Sequence, residues 1–112
     1  MPGNARILFD QGTPLPLRQF LQGHKVSTTG QKGWNRLQNS ELLNAAEAAG
    51  FDVLITTDKN LRYQQNLSGR RLAVVVLSTP KWPVVRLHVE KIATAVNAAT
   101  PGSYAEVDIF AE

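Results

Sequence analysis

Six consecutive apolar residues, Leu72 to Leu77, constrain this chain more than any other feature. A strand with one wet face alternates apolar and polar side chains. A run that is apolar throughout suits a central parallel strand, buried on both faces. Parallel neighbours need long crossovers, so helical segments are expected between the strands.

The flanking sequence has that form. Arg6 to Asp10 reads as a buried first strand ending in an acid. Pro14 to Leu21 fits a short helix with Thr13 as N-cap, Pro14 at its first position and Leu17, Phe20 and Leu21 on one face. His24 to Thr28 is a second strand, and Thr29 to Asn35 reads as a loop anchored by Trp34. Asn39 caps a helix from Ser40 to Ala49 whose apolar positions are Leu42, Ala45, Ala46 and Ala49, with Gly50 at its C-terminal cap. Val53 to Thr57 is rich in β-branched residues and again ends in an acid, Asp58. Leu61 to Leu67 fits one or two helical turns. Between Trp82 and Ala99, Val85, Val89, Ile92, Val96 and Ala99 alternate spacings of four and three, the strongest helical pattern in the chain. Pro101-Gly102 is a turn before an edge strand, Tyr104 to Phe110. Strand and helix alternate without repeat or linker. The expectation is a single α/β domain over 1–112, with an open, mostly parallel sheet and right-handed crossovers.

Composition removes several classes of chemistry. Without cysteine there is no disulfide framework, thiolate metal site or cysteine nucleophile. Two histidines are too few for a His-based zinc site without carboxylates. No apolar run approaches a membrane span, and the opening MPGNAR lacks an apolar signal core, so a soluble cytoplasmic protein is expected. Charge is unevenly spread. Residues 59–91 hold seven basic side chains and one acidic, whereas residues 1–58 are balanced and 92–112 are purely acidic. Such a block suits an anionic partner, nucleic acid first, or simply a solvated face.

Asp10 and Asp58 each follow an apolar strand, and ligands of open α/β sheets bind beyond the carboxyl ends of strands. Glu41, in the first turn of the helix near Asn39, is a third candidate for that crevice. At ~5 Å and an effective dielectric of about 20, each carboxylate pair repels by roughly 3 kcal/mol. A hard, oxygen-loving cation such as Mg²⁺ or Mn²⁺ would relieve that repulsion. Each acid also has a simpler role. Asp10 fits an Asx-turn, Asp58 a helix cap, and Glu41 the favourable end of a helix dipole. Glu47 reads as a solvent-facing residue, Asp52 as a loop acid, and Glu106 and Asp108 as the wet face of an edge strand. His24 and His88 read as surface or packing residues. Trp34, Trp82 and Phe20 read as anchors rather than base-stacking platforms.

Four phrases resemble small PIN-like proteins. Ile7-Leu8-Phe9-Asp10-Gln11-Gly12-Thr13-Pro14 is similar to their opening "LLDENLP", and Gly23-His24-Lys25-Val26 to "GHDV". Asn39-Ser40-Glu41-Leu42-Leu43 stands where they carry "sDeeIl", and Val53 to Leu61 resembles "vLvTrDkDF". The resemblance covers roughly residues 5 to 80, in the family's order. It implies a compact three-layer fold, a parallel sheet of four to five strands between helices, and a Mg²⁺- or Mn²⁺-dependent ribonuclease. Many such proteins are toxins of bacterial toxin–antitoxin pairs, held inactive by a small DNA-binding antitoxin, and homodimers are common. By position, Asp10, Asp58 and Glu41 fall on the family's acidic ligands. Asn60 replaces a frequent further Asp and brings a carbonyl but no charge, favouring one metal ion or a feeble enzyme. The implied reaction is hydrolysis of an RNA phosphodiester, with Lys59, Arg62, Arg70 and Arg71 as candidates for holding the RNA backbone. Two rivals remain: a catalytically inactive PIN-like interaction module, which Asn60 favours, and a receiver-like phosphoacceptor. The latter usually needs paired acids after the first strand, where this chain has Asp10-Gln11, and a late lysine, for which only Lys81 is available.

Overall fold

The computed structural model describes residues 5–37, 39–58, 67 and 69–109, with Asn39 described by its backbone alone. Five strands form one parallel sheet: β1 (Arg6–Phe9), β2 (Lys25–Thr28), β3 (Val53–Thr56), β4 (Ala73–Leu77) and β5 (Tyr104–Val107), in the spatial order β2-β1-β3-β4-β5. The α/β architecture expected from the alternating pattern is therefore present. β3 and β4 are buried at every position, which explains their uninterrupted apolar sequence.

Alternate side chains feed two cores. Ile7, Phe9, Val53, Ile55, Val75 and Leu77 point to one face, where Leu17, Leu21, Val85, Ile92 and Val96 cover them. Leu8, Leu54, Val74 and Val76 point to the other, under Leu42, Leu43, Ala46 and Phe51. The helix carrying Leu42, Leu43 and Ala46 spans Asn39–Ala48, one residue earlier at each end than the spacing suggests.

Three local expectations are corrected. Leu15–Phe20 is a 3₁₀-helix preceded by Pro14, and Thr13 does not cap it; its hydroxyl donates to the Ile55 carbonyl at 2.9 Å instead. At three residues per turn the α-helical face predicted for Leu17, Phe20 and Leu21 does not form. Leu17 and Leu21 are buried, while Phe20 is 45% exposed.

The expected loop after β2 begins with a short helix, α1 (Thr29–Lys32). Thr28 accepts from the Gln31 N–H at 3.0 Å, and the Gln31 side chain accepts from the Thr28 N–H at 3.0 Å. This reciprocal box satisfies donors that a helix start otherwise leaves open. Gly33, at φ 74°, ends the turn in a conformation that a Cβ would penalise. Trp34 does anchor this region, half-buried and edge-on to Phe51 at 6.2 Å between centroids.

The long helix expected over Trp82–Ala99 is broken. With Asn39–Ala48 as α2, it comprises α3 (Trp82–Val85), a 3₁₀ turn (Arg86–His88) and α4 (Val89–Ala98). Branched Val84, Val85 and Val89 flank the break and lose rotamer freedom in a regular helix. Val85, Ile92 and Val96 still reach the same core. The segment expected to be helical at Leu61–Leu67 lies largely outside the described residues. β5 is an edge strand, but its ladder covers Tyr104–Val107 only.

The crossovers do not share one hand. The β1-to-β2 connection and the β4-to-β5 connection step in opposite directions across the sheet, yet both pack on the same face. Equal hands would require opposite faces, so one connection departs from the right-handed rule. The β2-to-β3 connection steps back on the second face, through α2, and so agrees in hand with β1-to-β2. The β4-to-β5 crossover is the exception. Among the described residues, no helix is long and apolar enough to cross a membrane.

Candidate functional site

β1 is the point where strand order reverses. The chain leaves it toward β2 on one side and returns to β3 on the other. The crevice beyond the carboxyl ends of β1 and β3 is therefore the place where an open parallel sheet receives a ligand. Asp10 follows β1 and Asp58 follows β3, so neighbouring strands deliver both acids to that end.

Thr56 joins them. Its side chain is buried, its hydroxyl donates to Asp10 Oδ2 at 2.9 Å, and its oxygen accepts from the Asp58 N–H at 3.1 Å. The other Asp10 oxygen accepts from the Gln11 N–H at 2.8 Å, and the Asp10 N–H continues the ladder to the Ile55 carbonyl at 3.0 Å. Asp10 is thus held from three directions, by neutral donors in two of them. A carboxylate offers about four lone-pair sites, so acceptor capacity remains after these contacts. Thr56 had no role in the sequence reading. The signal was a hydroxyl two residues before an acid at the end of a buried strand.

The turn after Asp10 is pressed against β3. Gly12 has φ 89°, and a Cβ there would meet Thr57 Oγ1 at 3.0 Å. Gln11 Nε2 donates to the Asn35 carbonyl at 3.2 Å, drawing the Trp34–Leu37 segment beside the same turn. Glu41 lies in the first turn of α2, exposed. Among the described residues no group of three or more His, Cys, Asp or Glu side chains is arranged to hold a metal ion. Thr56 ties the Asp10 carboxylate and the Asp58 backbone N–H together at one end of the sheet, and the structure does not gather Glu41 with them into such a group. Lys59, Asn60 and Arg62 lie outside the described residues.

Arg70 and Arg71 are elsewhere. Both precede β4, at the amino end of the sheet, opposite the end where Asp10 and Asp58 stand. Arg70 forms an ion pair with Glu47 and donates to Asn44 Oδ1 at 3.0 Å; the Arg71 N–H donates to Glu47 Oε2 at 3.0 Å. Glu47 is consequently half-buried rather than solvent-facing. Burial pushes its carboxyl up, but the Arg70 hydrogen bond, the Arg71 N–H and the charges of both arginines outweigh that and hold it below the usual carboxylate range. Asp52 is no idle loop acid either, since its carboxylate accepts from the Arg6 N–H at 2.8 Å. His24 is a packing residue, accepting from the Ala5 N–H at 3.1 Å and meeting Asn97 Oδ1 at 3.0 Å.

Compared with known proteins, the chain matches no family model, no curated protein and no solved structure.

Proposed function

We propose that this chain is a PIN-like ribonuclease dependent on Mg²⁺ or Mn²⁺, acting on RNA phosphodiesters at the crevice between β1 and β3. The observation that carries the reading is the Asp10–Thr56–Asp58 linkage at the switch point. The donor chemistry fits a hard cation: carboxylates and a hydroxyl, without thiolate or imidazole. Mg²⁺ is commonly held by only one or two carboxylates, with water and substrate phosphate completing its shell. Asp10 and Asp58 are therefore the assigned ligands, with Asn60 as a further, neutral donor and Glu41, in the first turn of α2, as an outer carboxylate. When bound, the ion would neutralise phosphate charge and make an attacking water more acidic.

The chain's own groups have separate tasks in this reading. Thr56 fixes the orientation of the Asp10 carboxylate, and Gln11 N–H locks its second oxygen. Glu41 has the task of orienting a water of the ion's shell. Lys59, next in sequence to Asp58, and Arg62, shortly after it, hold the adjacent phosphates. Arg70 and Arg71 are not assigned to this end of the sheet. A toxin role, restraint by a small DNA-binding antitoxin, a cytoplasmic location and homodimerisation belong to the same proposal through the resemblance.

The interaction-module reading draws on one observation, that the described acids form no three-ligand group. The receiver-like reading shares the strand order of flavodoxin-like sheets. Uniformly right-handed crossovers in that order would put the β4-to-β5 helix on the α2 face, and here it packs on the opposite one. Titrating Mn²⁺ into wild type and Asp10→Asn separates the readings. The ribonuclease reading expects a thermal upshift and RNA cleavage in wild type only. No shift in either protein would sink it in favour of the module.

A further inference from the structure

The surface where the 3₁₀-helix Leu15–Phe20 meets α3 carries two features that the assigned site does not use. The first is an aromatic pair, Phe20 open to solvent and Trp82 half-buried against the core. Phe20, 45% exposed, lies 5.9 Å from Trp82 between ring centroids, inclined at 39°. Leu15, at 46%, and Leu87, at 60%, are the other large apolar side chains left exposed among the described residues. The second feature is charge of one sign. Arg18, Lys81 and Arg86 are exposed, and none pairs with a carboxylate among the described residues. No Asp or Glu occurs in 11–40 or 78–89, the stretches that hold these side chains, and Glu90 follows one turn after Arg86.

We infer that this surface binds single-stranded nucleic acid, with an unpaired base on the Phe20–Trp82 rings and phosphates on Arg18, Lys81 and Arg86. The inference rests on the reading of the chain as an RNA hydrolase and specifies the strandedness and path of its substrate. Aromatic faces beside unpaired cations suit stacking of bases that a duplex would hide. Arginine offers a planar fork that matches phosphate oxygens. A partner helix would instead need a groove to receive its anchors, whereas Leu15, Phe20 and Leu87 project outward. The location also fits. Leu15 follows the Asp10–Pro14 turn, and Lys81 follows β4 at the same carboxyl end of the sheet. In this proposal a strand with one phosphate at Asp10 continues over these rings.

The test is binding of a fluorescein-labelled oligouridylate to the full chain in EDTA, which separates binding from hydrolysis. Trp82 emission is followed in a Trp34→Phe background. Wild type should bind with quenching of Trp82. Phe20→Ala should weaken binding on the order of tenfold, and Arg18→Glu with Arg86→Glu should also flatten the salt dependence. All three positions are exposed, and unchanged melting temperatures would establish that the variants fold. Equal affinity in wild type and both variants would overturn the inference. So would equally tight binding of a uridine–adenosine duplex, or quenching by an oligoglutamate peptide but not by oligouridylate. Quenching by oligouridylate in a protein that cleaves no RNA would uphold the platform while removing the hydrolase.

Discussion

The two ends of the sheet treat charge in opposite ways. At the amino end Glu47 is closed off by Arg70 and the Arg71 N–H, and Asp52 by the Arg6 N–H. Arg6 itself donates to the Ala49 carbonyl and lies 4.8 Å from the Phe51 ring centroid. At the carboxyl end Asp10 is held by a hydroxyl and an N–H, with no described cation paired to it. Neutral donors orient a carboxylate without cancelling its charge. A guanidinium does both. The amino end thus spends its charges on holding the fold together, and the carboxyl end keeps an oriented negative charge available for a ligand.

The sharpest way to break this contrast is to neutralise one acid at each end. Asp10→Asn should lower RNA cleavage by at least about a hundredfold, the upper range for groups that merely support metal ligands, and leave the fold intact. Glu47→Gln should leave the cleavage rate unchanged while lowering the melting temperature. Cleavage assays and melts on the two purified variants would decide it; equal loss of activity would erase the distinction between the ends.

Thr56→Val tests the linkage between the two acids. Valine keeps the shape of the side chain but leaves the Asp58 N–H without its acceptor and Asp10 Oδ2 without its donor. An unsatisfied buried group costs about 1–3 kcal/mol, so denaturant melts should show a loss in that range. Mn²⁺ affinity should fall about tenfold as the carboxylate loses its orientation. Thr56→Ser, which retains the hydroxyl, should restore most of the affinity.

Much of this contrast is legible in the sequence, but only from one side. Strand ends are marked in sequence when a buried run stops, so Asp10 and Asp58 could be placed at carboxyl ends. Neither the Glu47–Arg70 pair nor the Asp10–Thr56 bond could be read, because each joins residues far apart in the chain. For the same reason Arg70 and Arg71 looked like part of one basic block with Lys59, although a parallel sheet sends the residues before β4 to the opposite end. The capping box of Thr28 and Gln31 was present as T-x-x-Q, and glycine and polar neighbours obscured it. The broken Trp82–Ala98 segment kept its apolar spacing through the 3₁₀ turn, so periodicity alone overstated its regularity. The opposite-handed last crossover has no local signature, since it depends on which face α4 chooses.

A smaller effect is expected from Gly12→Ala. The φ of 89° disfavours a side chain by roughly 1–2 kcal/mol, and the added methyl would push against Thr57 Oγ1. Stability should fall by about that amount, and Mn²⁺ affinity should fall with it as the turn after Asp10 is displaced. Isothermal titration of the variant would show whether turn and ligand are coupled; unchanged affinity would mean that the turn serves the fold alone.

The smallest effect belongs to the closed end. Glu47 and Arg70 are each 19% exposed at the side chain, so solvent reaches the pair and Arg70→Ala should cost no more than about 1 kcal/mol. Its pH dependence has a definite sign. Because the folded state holds the Glu47 carboxyl below its ordinary value of 4.5, the unfolded chain takes up the proton first as acid is added. The stabilisation is complete above that ordinary value and is lost as pH falls through the folded one. Melting temperatures should therefore converge for wild type and Glu47→Gln in strong acid and separate toward neutrality, with wild type higher. A difference that stayed constant across that range would mean that Glu47 acts through packing and not through its charge, and the amino end would no longer differ from the carboxyl end in the way described.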